Sequence, residues 1–324
     1  MSWITLLWHF YIKTFPLQYN NSNQNGQQAD TTTTIPFLSS NNNKMTSFTS
    51  NRNPDLSIRF TQPELCDPNV IQYSGYFDIN SKDVHYFFWF FESKKIEDAP
   101  FTLWLNGGPG CSSMGGLFTG PGPCKVTDDG FNMKTVYNPY SWHRYSNILF
   151  LDQPAGTGFS YGTGTINRTE DGAYYVYECL QLFFEMFPQY RKLPFHMFGE
   201  SYAGRFVSEY ARHIIEKNLM IKTNIFSSSE NDNNDEDQII LLKSVAYVKQ
   251  CADTNTVADC YKARNTCVEI ENLFVTTGQS TTDIRIPAVQ DTPPQTYTRF
   301  LNLDSTRQHI GADTIYTECK ASVR

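Results

Sequence analysis

The chain has 324 residues, 40% of them hydrophobic and 15% aromatic, and carries a formal net charge of −7. That is enough apolar material for one large domain with a proper core, while an acidic balance without a long basic stripe argues against nucleic acid as a partner. No apolar run reaches the roughly 18 residues of a spanning helix, which argues against a membrane span.

Residues 1–16 include an apolar stretch from Trp3 to Ile12 with the length of a signal-peptide core. It lacks a positive n-region and a small-residue cleavage site, so by itself it leaves secretion open. Residues 17–55 are dominated by Asn, Gln, Ser and Thr and are expected to be disordered, because they cannot bury enough apolar surface to fold. Residues 56–324 read as the folded domain. There "IQYSGYFDI" and "VHYFFWFFE" are aromatic, strand-like runs separated by "NSKD", a hairpin signal, and "PFTLWL" and "NILFLD" are short buried strands. Thr169, Glu170 and Asp171 open a helix whose Ala173, Val176, Leu180, Phe183, Phe184 and Phe187 share one face; acids in its first turn suit the helix dipole. Strands alternating with helices imply an α/β domain with a mostly parallel sheet and helices on both faces. The tract 227–238 reads as a polar linker. Beyond it "NTCVEIENLF" has helical character and "DTPPQTY" reads as a loop.

Eight cysteines, at 66, 111, 124, 179, 251, 260, 267 and 319, are many for a cytosolic enzyme. The spacing of Cys251, Cys260 and Cys267 fits no zinc pattern, so disulfides are the better reading, and neither a metal nor a cofactor is expected. The sequons at Asn20 and Asn167 are compatible with the secretory route.

"FGESYAGRF", residues 198–206, places a serine between a strand-like run, "LPFHMF", and a helical one, "RFVSEYARHIIEKN". This is the pattern of a nucleophile elbow, in which a sharp turn lifts Ser201 clear of its neighbours at a helix N-terminus. The fifth motif position is Ala203, with Gly204 one residue later. "WLNGGPGCSSMGG", residues 104–116, packs five glycines around a proline after a short strand. Alone it fits a surface loop as well as an oxyanion hole. Paired with the elbow, the Gly108 and Tyr202 N–H groups become two donors for a tetrahedral oxyanion. A nucleotide-binding loop is disfavoured, since no Gly-Lys-Ser/Thr follows.

Together "WLNGGPGCSSMGG", "NPYSW" (138–142), "LDQPAGTGFSYG" (151–162) and "FHMFGESYAG" (195–204) resemble the serine carboxypeptidase family in motif order and spacing. The resemblance is strong over about residues 60 to 215 and weak over 240 to 324. It implies an α/β-hydrolase fold, with Ser201 as nucleophile and Gly108 and Tyr202 as the oxyanion hole. It further implies that Trp104, Asn106, the Gly107 N–H and Glu200 bind the free C-terminal carboxylate of a peptide or protein, in the secretory pathway, a vacuole or lysosome, or outside the cell. The cysteine pairing is left open, with a bridge from Cys111 to a cysteine in the 251–319 region as the expected one. A carboxyl facing a substrate carboxylate must be protonated to donate a hydrogen bond, so an acidic working pH is expected.

The sequence also departs from the family. Gly120 stands where a second recognition glutamate is usual, and Arg205 where His follows "YAG", the latter expected on a helix surface. The strand and turn that normally follow the nucleophile helix are missing where "IILLKSVAY" meets "VKQCADTNTVADC", which suggests an internal deletion. After Ser201 the only histidines are His213 and His309. His213 falls twelve residues on, about 18 Å along the helix, and His309 reads as exposed or helix-packed. His85, His143 and His196 precede the nucleophile. The sheet is thus expected to be incomplete on its C-terminal side, and the chain to be inactive for want of the triad Asp and His. The alternatives are a non-catalytic relative that binds peptides or a partner, and a relative that transfers acyl groups to alcohols.

Overall fold

The structure, a computed structural model, describes residues 13–14, 45–94, 99–164, 166, 168–227, 238–246 and 295–320. In chain order the strands are β1 (Lys13–Thr14), β2 (Thr46–Thr49), β3 (Leu56–Thr61), β4 (Gln72–Ile79), β5 (Val84–Phe91), β6 (Phe101–Leu105), β7 (Cys124–Asp128), β8 (Met133–Tyr137), β9 (Asn147–Leu151), β10 (Tyr161–Gly162), β11 (Phe195–Gly199) and β12 (Leu242–Ala246). The helices are α1 (Met114–Thr119), α2 (Thr169–Met186), α3 (Ala203–Ser227), α4 (Gln295–Leu301) and α5 (Asp304–Ile310).

The main sheet runs β1–β12–β11–β6–β9–β5–β4–β3–β2, with β10 on β5, and β7 and β8 form a separate hairpin. Its parallel part is β12–β11–β6–β9. An antiparallel meander, β5 to β2, extends it. The aromatic runs pair as the hairpin signal predicts, Ile79 opposite Val84, with Asp83 in a left-handed conformation closing the turn.

Period-2 alternation divides the core. On β5, Val84, Tyr86, Phe88 and Phe90 face one apolar cluster, while Phe87, Trp89 and Phe91 face another. The first lies under α2 and α3, where Phe183 packs against Phe77, Phe88, Phe90 and Phe101. The second lies under α1, α4 and α5, through Met114, Leu117, Phe118, Phe300, Leu301 and Ile310. Helices therefore cover both faces, as an α/β-hydrolase sheet requires. α2 begins at Thr169 with Glu170 and Asp171 in its first turn, and Arg168 pairs with Asp171 across i,i+3.

Two expectations need correction. The stretch 17–55 is not disordered throughout: Thr46–Thr49 pairs along β3, Phe48 packs against the core, and Ser50 Oγ donates to Glu185 at 2.7 Å. An existing strand edge supplies the partner that composition alone could not reveal. "DTPPQTY" is not wholly a loop, because α4 starts at Gln295, directly after the prolines. The expected disulfides are present as Cys66–Cys124 and Cys111–Cys319, and Cys179 lies buried as a free thiol. The linker 227–238 begins on the last residue of α3, and Gln238 is anchored by a hydrogen bond from Gln181. The rest of that linker, residues 17–44, the run after "IILLKSVA", the "NTCVEIENLF" segment, Cys251, Cys260, Cys267 and both sequon asparagines lie outside the described residues.

Candidate active site

β11 ends at Gly199 and α3 begins at Ala203, leaving Glu200, Ser201 and Tyr202 to reverse the chain. Ser201 takes φ 59, one of three positive-φ non-glycine residues among those described. A side chain in that region costs about 1 kcal/mol or more and persists only where the surroundings enforce it. They do so here. The Glu200 N–H donates to Leu105 O at 3.1 Å, tying the turn to the end of β6. On the other side, Ala203 N and Gly204 N donate back to Glu200 O and Ser201 O, which starts α3. A Cβ at Gly199 would lie 2.8 Å from Ala203 O, so strand and helix meet too closely for any other residue. Ser201 and Tyr202 are exposed, and Ala203 is fully buried. The alanine at the fifth motif position thus fits the crossing.

The glycine-rich loop follows β6. Gly107 backs directly onto the elbow: a Cβ there would sit 2.5 Å from Tyr202 N, 2.7 Å from Glu200 O and 2.9 Å from Ala203 N. Glycine alone permits this contact, and it brings the loop's backbone beside the Tyr202 N–H. Gly108, exposed at φ 106, comes next, and Cys111 N donates to Gly107 O at 3.0 Å to close the turn. Cys111 is bonded to Cys319, and Ser112 N donates to Glu318 O at 2.8 Å, so a segment from the far end of the described chain clamps the loop.

Trp104, at the C-terminal end of β6, donates its indole N–H to Asn106 Oδ1 at 2.7 Å, and Gly116 N donates to the same oxygen at 3.2 Å. Two donors on one oxygen fix the amide and leave its NH2 facing away from them. Trp104 also meets Trp142 edge-on, and Trp142 meets Phe198, so the "NPYSW" turn walls the same end of the sheet. Partial desolvation raises the Glu200 pKa above the ordinary carboxyl value. Gly120 is exposed at the end of α1, and Arg205 is exposed on α3.

Below the loop lies a residue that motif reading did not single out. Asp152 is fully buried; its Oδ1 accepts from Ser112 Oγ at 2.6 Å and Ser113 N at 2.9 Å, and its Oδ2 from Phe159 N at 3.0 Å. Burial pushes its pKa up to about 7 against the pull of those donors, and the charge of Glu318 adds to the rise. An acid at the end of an otherwise apolar strand was the available signal. Glu318 itself, far downstream, had none.

The five described histidines all occupy other environments. His85 Nδ1 lies 2.5 Å from Asp78 Oδ1, His196 Nδ1 lies 2.6 Å from Ser244 Oγ, and His309 Nε2 accepts from Glu64 N at 3.0 Å. His213 packs against the Tyr177 ring. His143 is the instructive case: its Nδ1 lies 2.7 Å from Ser141 Oγ and its Nε2 2.9 Å from Asp67 Oδ2. That is a Ser-His-Asp constellation by distance. Ser141, His143 and Asp67 are all buried, however, and Ser141 Oγ also donates to Pro121 O at 2.8 Å. Burial lowers the His143 pKa. Burial works to raise that of Asp67, but hydrogen bonds from Lys94 and His143 outweigh it and hold the group below its ordinary value. No substrate reaches this hydroxyl, and the trio serves as a buried polar bolt. Among the described residues, none hydrogen-bonds the Ser201 side chain.

Comparison with known proteins agrees with this fold. The family model for serine carboxypeptidase matches residues 63–229. Carboxypeptidase Y homolog A of Blastomyces gilchristii is 44% identical over 183 residues, covering 55% of this chain and 33% of that protein. The chain therefore spans about a third of the length of such relatives. Carboxypeptidase S1 of Penicillium janthinellum is 35% identical over 297 residues, covering 79% of this chain and 70% of that protein. Among solved structures, Kex1(Δ)p, a prohormone-processing carboxypeptidase from Saccharomyces cerevisiae, superposes with a TM-score of 0.56 at 22% identity, covering 81% of this chain and 70% of that one. That likeness extends to the fold. Among the described residues no helix is long and apolar enough to cross a membrane. With the family model over half its length and a relative matched over most of its own, the chain belongs to the serine carboxypeptidase family.

Proposed function

We propose that the protein is a serine-type carboxypeptidase by design, with Ser201 as the nucleophile that would form an acyl-enzyme at the last peptide bond of a substrate. Gly108 N–H and Tyr202 N–H would hold the oxyanion, and Trp104, Asn106, the Gly107 N–H and Glu200 the free C-terminal carboxylate. One observation carries this: Ser201 stands at φ 59 on the elbow while Gly107 packs against the Tyr202 N–H. The upward shift at Glu200 supports an acidic working range, since only a protonated carboxyl donates to a carboxylate. Two disulfides fit folding in the secretory pathway, for a vacuole, a lysosome or the exterior.

As these 324 residues stand, Ser201 has no imidazole among the described histidines. Loss of the base from a serine hydrolase costs about six powers of ten in turnover. Hydrolysis by this chain alone is therefore expected to be negligible, and the same placement of histidines favours a second reading, a relative that binds peptide C-termini without cleaving them. A fluorophosphonate probe tests the point. Labelling of the chain no faster than that of a Ser201→Ala control is expected; rapid, Ser201-dependent labelling would overturn the claim of a disabled nucleophile.

A further inference from the structure

One buried carboxyl holds two loops, and a third segment is tied across both. Asp152, directly after β9, takes hydrogen bonds from Ser112 and Ser113 of the glycine-rich loop and from Phe159 of the loop that follows it in the chain. Thr317–Lys320 lies over the same two loops. Ser112 N donates to Glu318 O at 2.8 Å, Thr317 exchanges two backbone hydrogen bonds with Gly158 at 2.7 and 3.0 Å, and Lys320 N donates to Gly110 O at 2.8 Å. Lys320 Nζ adds a bond to Ala155 O at 2.7 Å. Just upstream, the backbone of Tyr316 is pinned by Asn302, which accepts from its N–H and donates to its carbonyl. Thr317–Lys320 is thus a strap with a hinge at Tyr316 and a covalent tether at Cys319. The strap carries a second carboxyl into the region: Glu318 Oε2 accepts from Tyr316 OH at 2.7 Å, and its charge acts on Asp152. Ser112 serves both acids, giving its Oγ–H to the Asp152 side chain and its N–H to the Glu318 carbonyl.

We propose that this strap is a pH-set clamp: it stays seated on the two loops while Asp152 and Glu318 hold their protons, and lifts from them about the Tyr316 hinge as both ionise. The proposal stands without the carboxypeptidase reading. Where that reading holds, the clamp also sets how firmly the Gly107–Gly108 turn is held, because Cys111, at the tether, donates its N–H to Gly107 O.

Two ionised carboxyls in one buried cluster repel each other, and each is stripped of water. Burial raises the Asp152 pKa to about 7 against its three donors, with the Glu318 charge adding to the rise, and burial raises Glu318 as well. The other groups facing the pair are Tyr316 on the strap and Tyr297 on α4, both pushed up by burial and so neutral throughout, and the Lys320 ammonium, which is engaged with the Ala155 carbonyl. Lifting the strap breaks the bonds that close the loops over Asp152 and returns both carboxyls to water, where Asp152 titrates near 3.8. Below that value both states are protonated and the clamp has its full strength. It weakens as the pH rises and levels off above about 7.

Hydrogen exchange of the full chain, resolved to single amides and corrected for the intrinsic rate at each pH, tests this at about pH 5 and about pH 8. Protection of the Ser112, Gly158, Thr317 and Lys320 N–H groups, which join strap to loops, is expected to fall by up to about a hundredfold between the two, the change that the Asp152 shift produces over that range. Amides of the β4–β5 pair should stay better protected than these at both pH values. Asp152→Asn should cut the fall to less than about tenfold. Glu318→Gln, which leaves the three donors to Asp152 in place, should cut it by a smaller factor and serves even if the first variant does not fold. Strap protection that is unchanged or greater at the higher pH overturns the proposal. So does a fall in which strap and β4–β5 amides exchange at one common rate, since the whole domain would then open at once. A fall that Glu318→Gln leaves unaltered assigns the pH dependence to groups outside the pair and overturns it as well.

Discussion

Asp152 makes the stability of this domain depend on pH in an unusual direction. In the unfolded chain its carboxyl titrates near 3.8, whereas burial in the native state pushes it up to about 7. Between those values the native protein keeps a proton that the unfolded chain has released, so the unfolded state is increasingly favoured. Below about pH 4 both states are protonated and the native state has its full advantage. As the pH rises, stability falls by up to about 1.4 kcal/mol per unit, then levels off above about 7. The shift of roughly three units corresponds to about 4 kcal/mol, a large share of a typical domain's stability. Asp152→Asn removes this titration. It also turns a donor toward one of the three groups, Ser112 Oγ, Ser113 N or Phe159 N, that now donate to the carboxyl, and so carries a fixed cost of about 1–3 kcal/mol. Urea unfolding of both proteins, at intervals from about pH 4 to about pH 8, separates the two effects, because only the titration changes with pH. The advantage of wild type over the variant should shrink by about 4 kcal/mol across that range. A gap that stays constant or widens would mean that the three donors win, and that Asp152 is already ionised in the native state at low pH.

Gly107→Ala places a Cβ against three backbone atoms of the elbow. A loss of about 1–3 kcal/mol in urea unfolding is expected, together with weaker binding of peptide acids; unchanged stability would show that loop and elbow are not in contact. His143→Ala removes the link between Ser141 and Asp67 and leaves a cavity at a residue that is fully buried. It should cost about 3 kcal/mol or more by the same assay, and a cost below about 1 kcal/mol would refute the buried-bolt role.

The elbow and the hairpin were legible because both are local. Gly199, Ser201 and the helix beginning at Ala203 lie within five residues of one another, and β4 meets β5 across a four-residue turn whose flanks alternate in period 2. The start of α2 was equally readable from Glu170 and Asp171. Features that depend on distant partners were not. Strand β2 exists because β3 offers it an edge, although its own composition is polar. The partner of Cys111 could be narrowed only to a region, and the contact of Glu318 with the glycine-rich loop became visible only once Cys319 had been placed. The Ser141–His143–Asp67 trio shows the converse: Ser141 and His143 are two residues apart, but Asp67 comes from 76 residues away, so no local pattern announces them.

The covalent bond between Cys111 and Cys319 spans 208 positions and joins the glycine-rich loop to the segment that carries Glu318. A chain that met only a reducing milieu would lack it, and the downstream segment would then hold to the glycine-rich loop through hydrogen bonds alone, the Ser112–Glu318 contact among them. Completion of the wall beside Ser201 is thereby coupled to thiol oxidation. A nascent copy retained among cytosolic thiols would carry its serine on the turn but only a loosely tethered wall beside it.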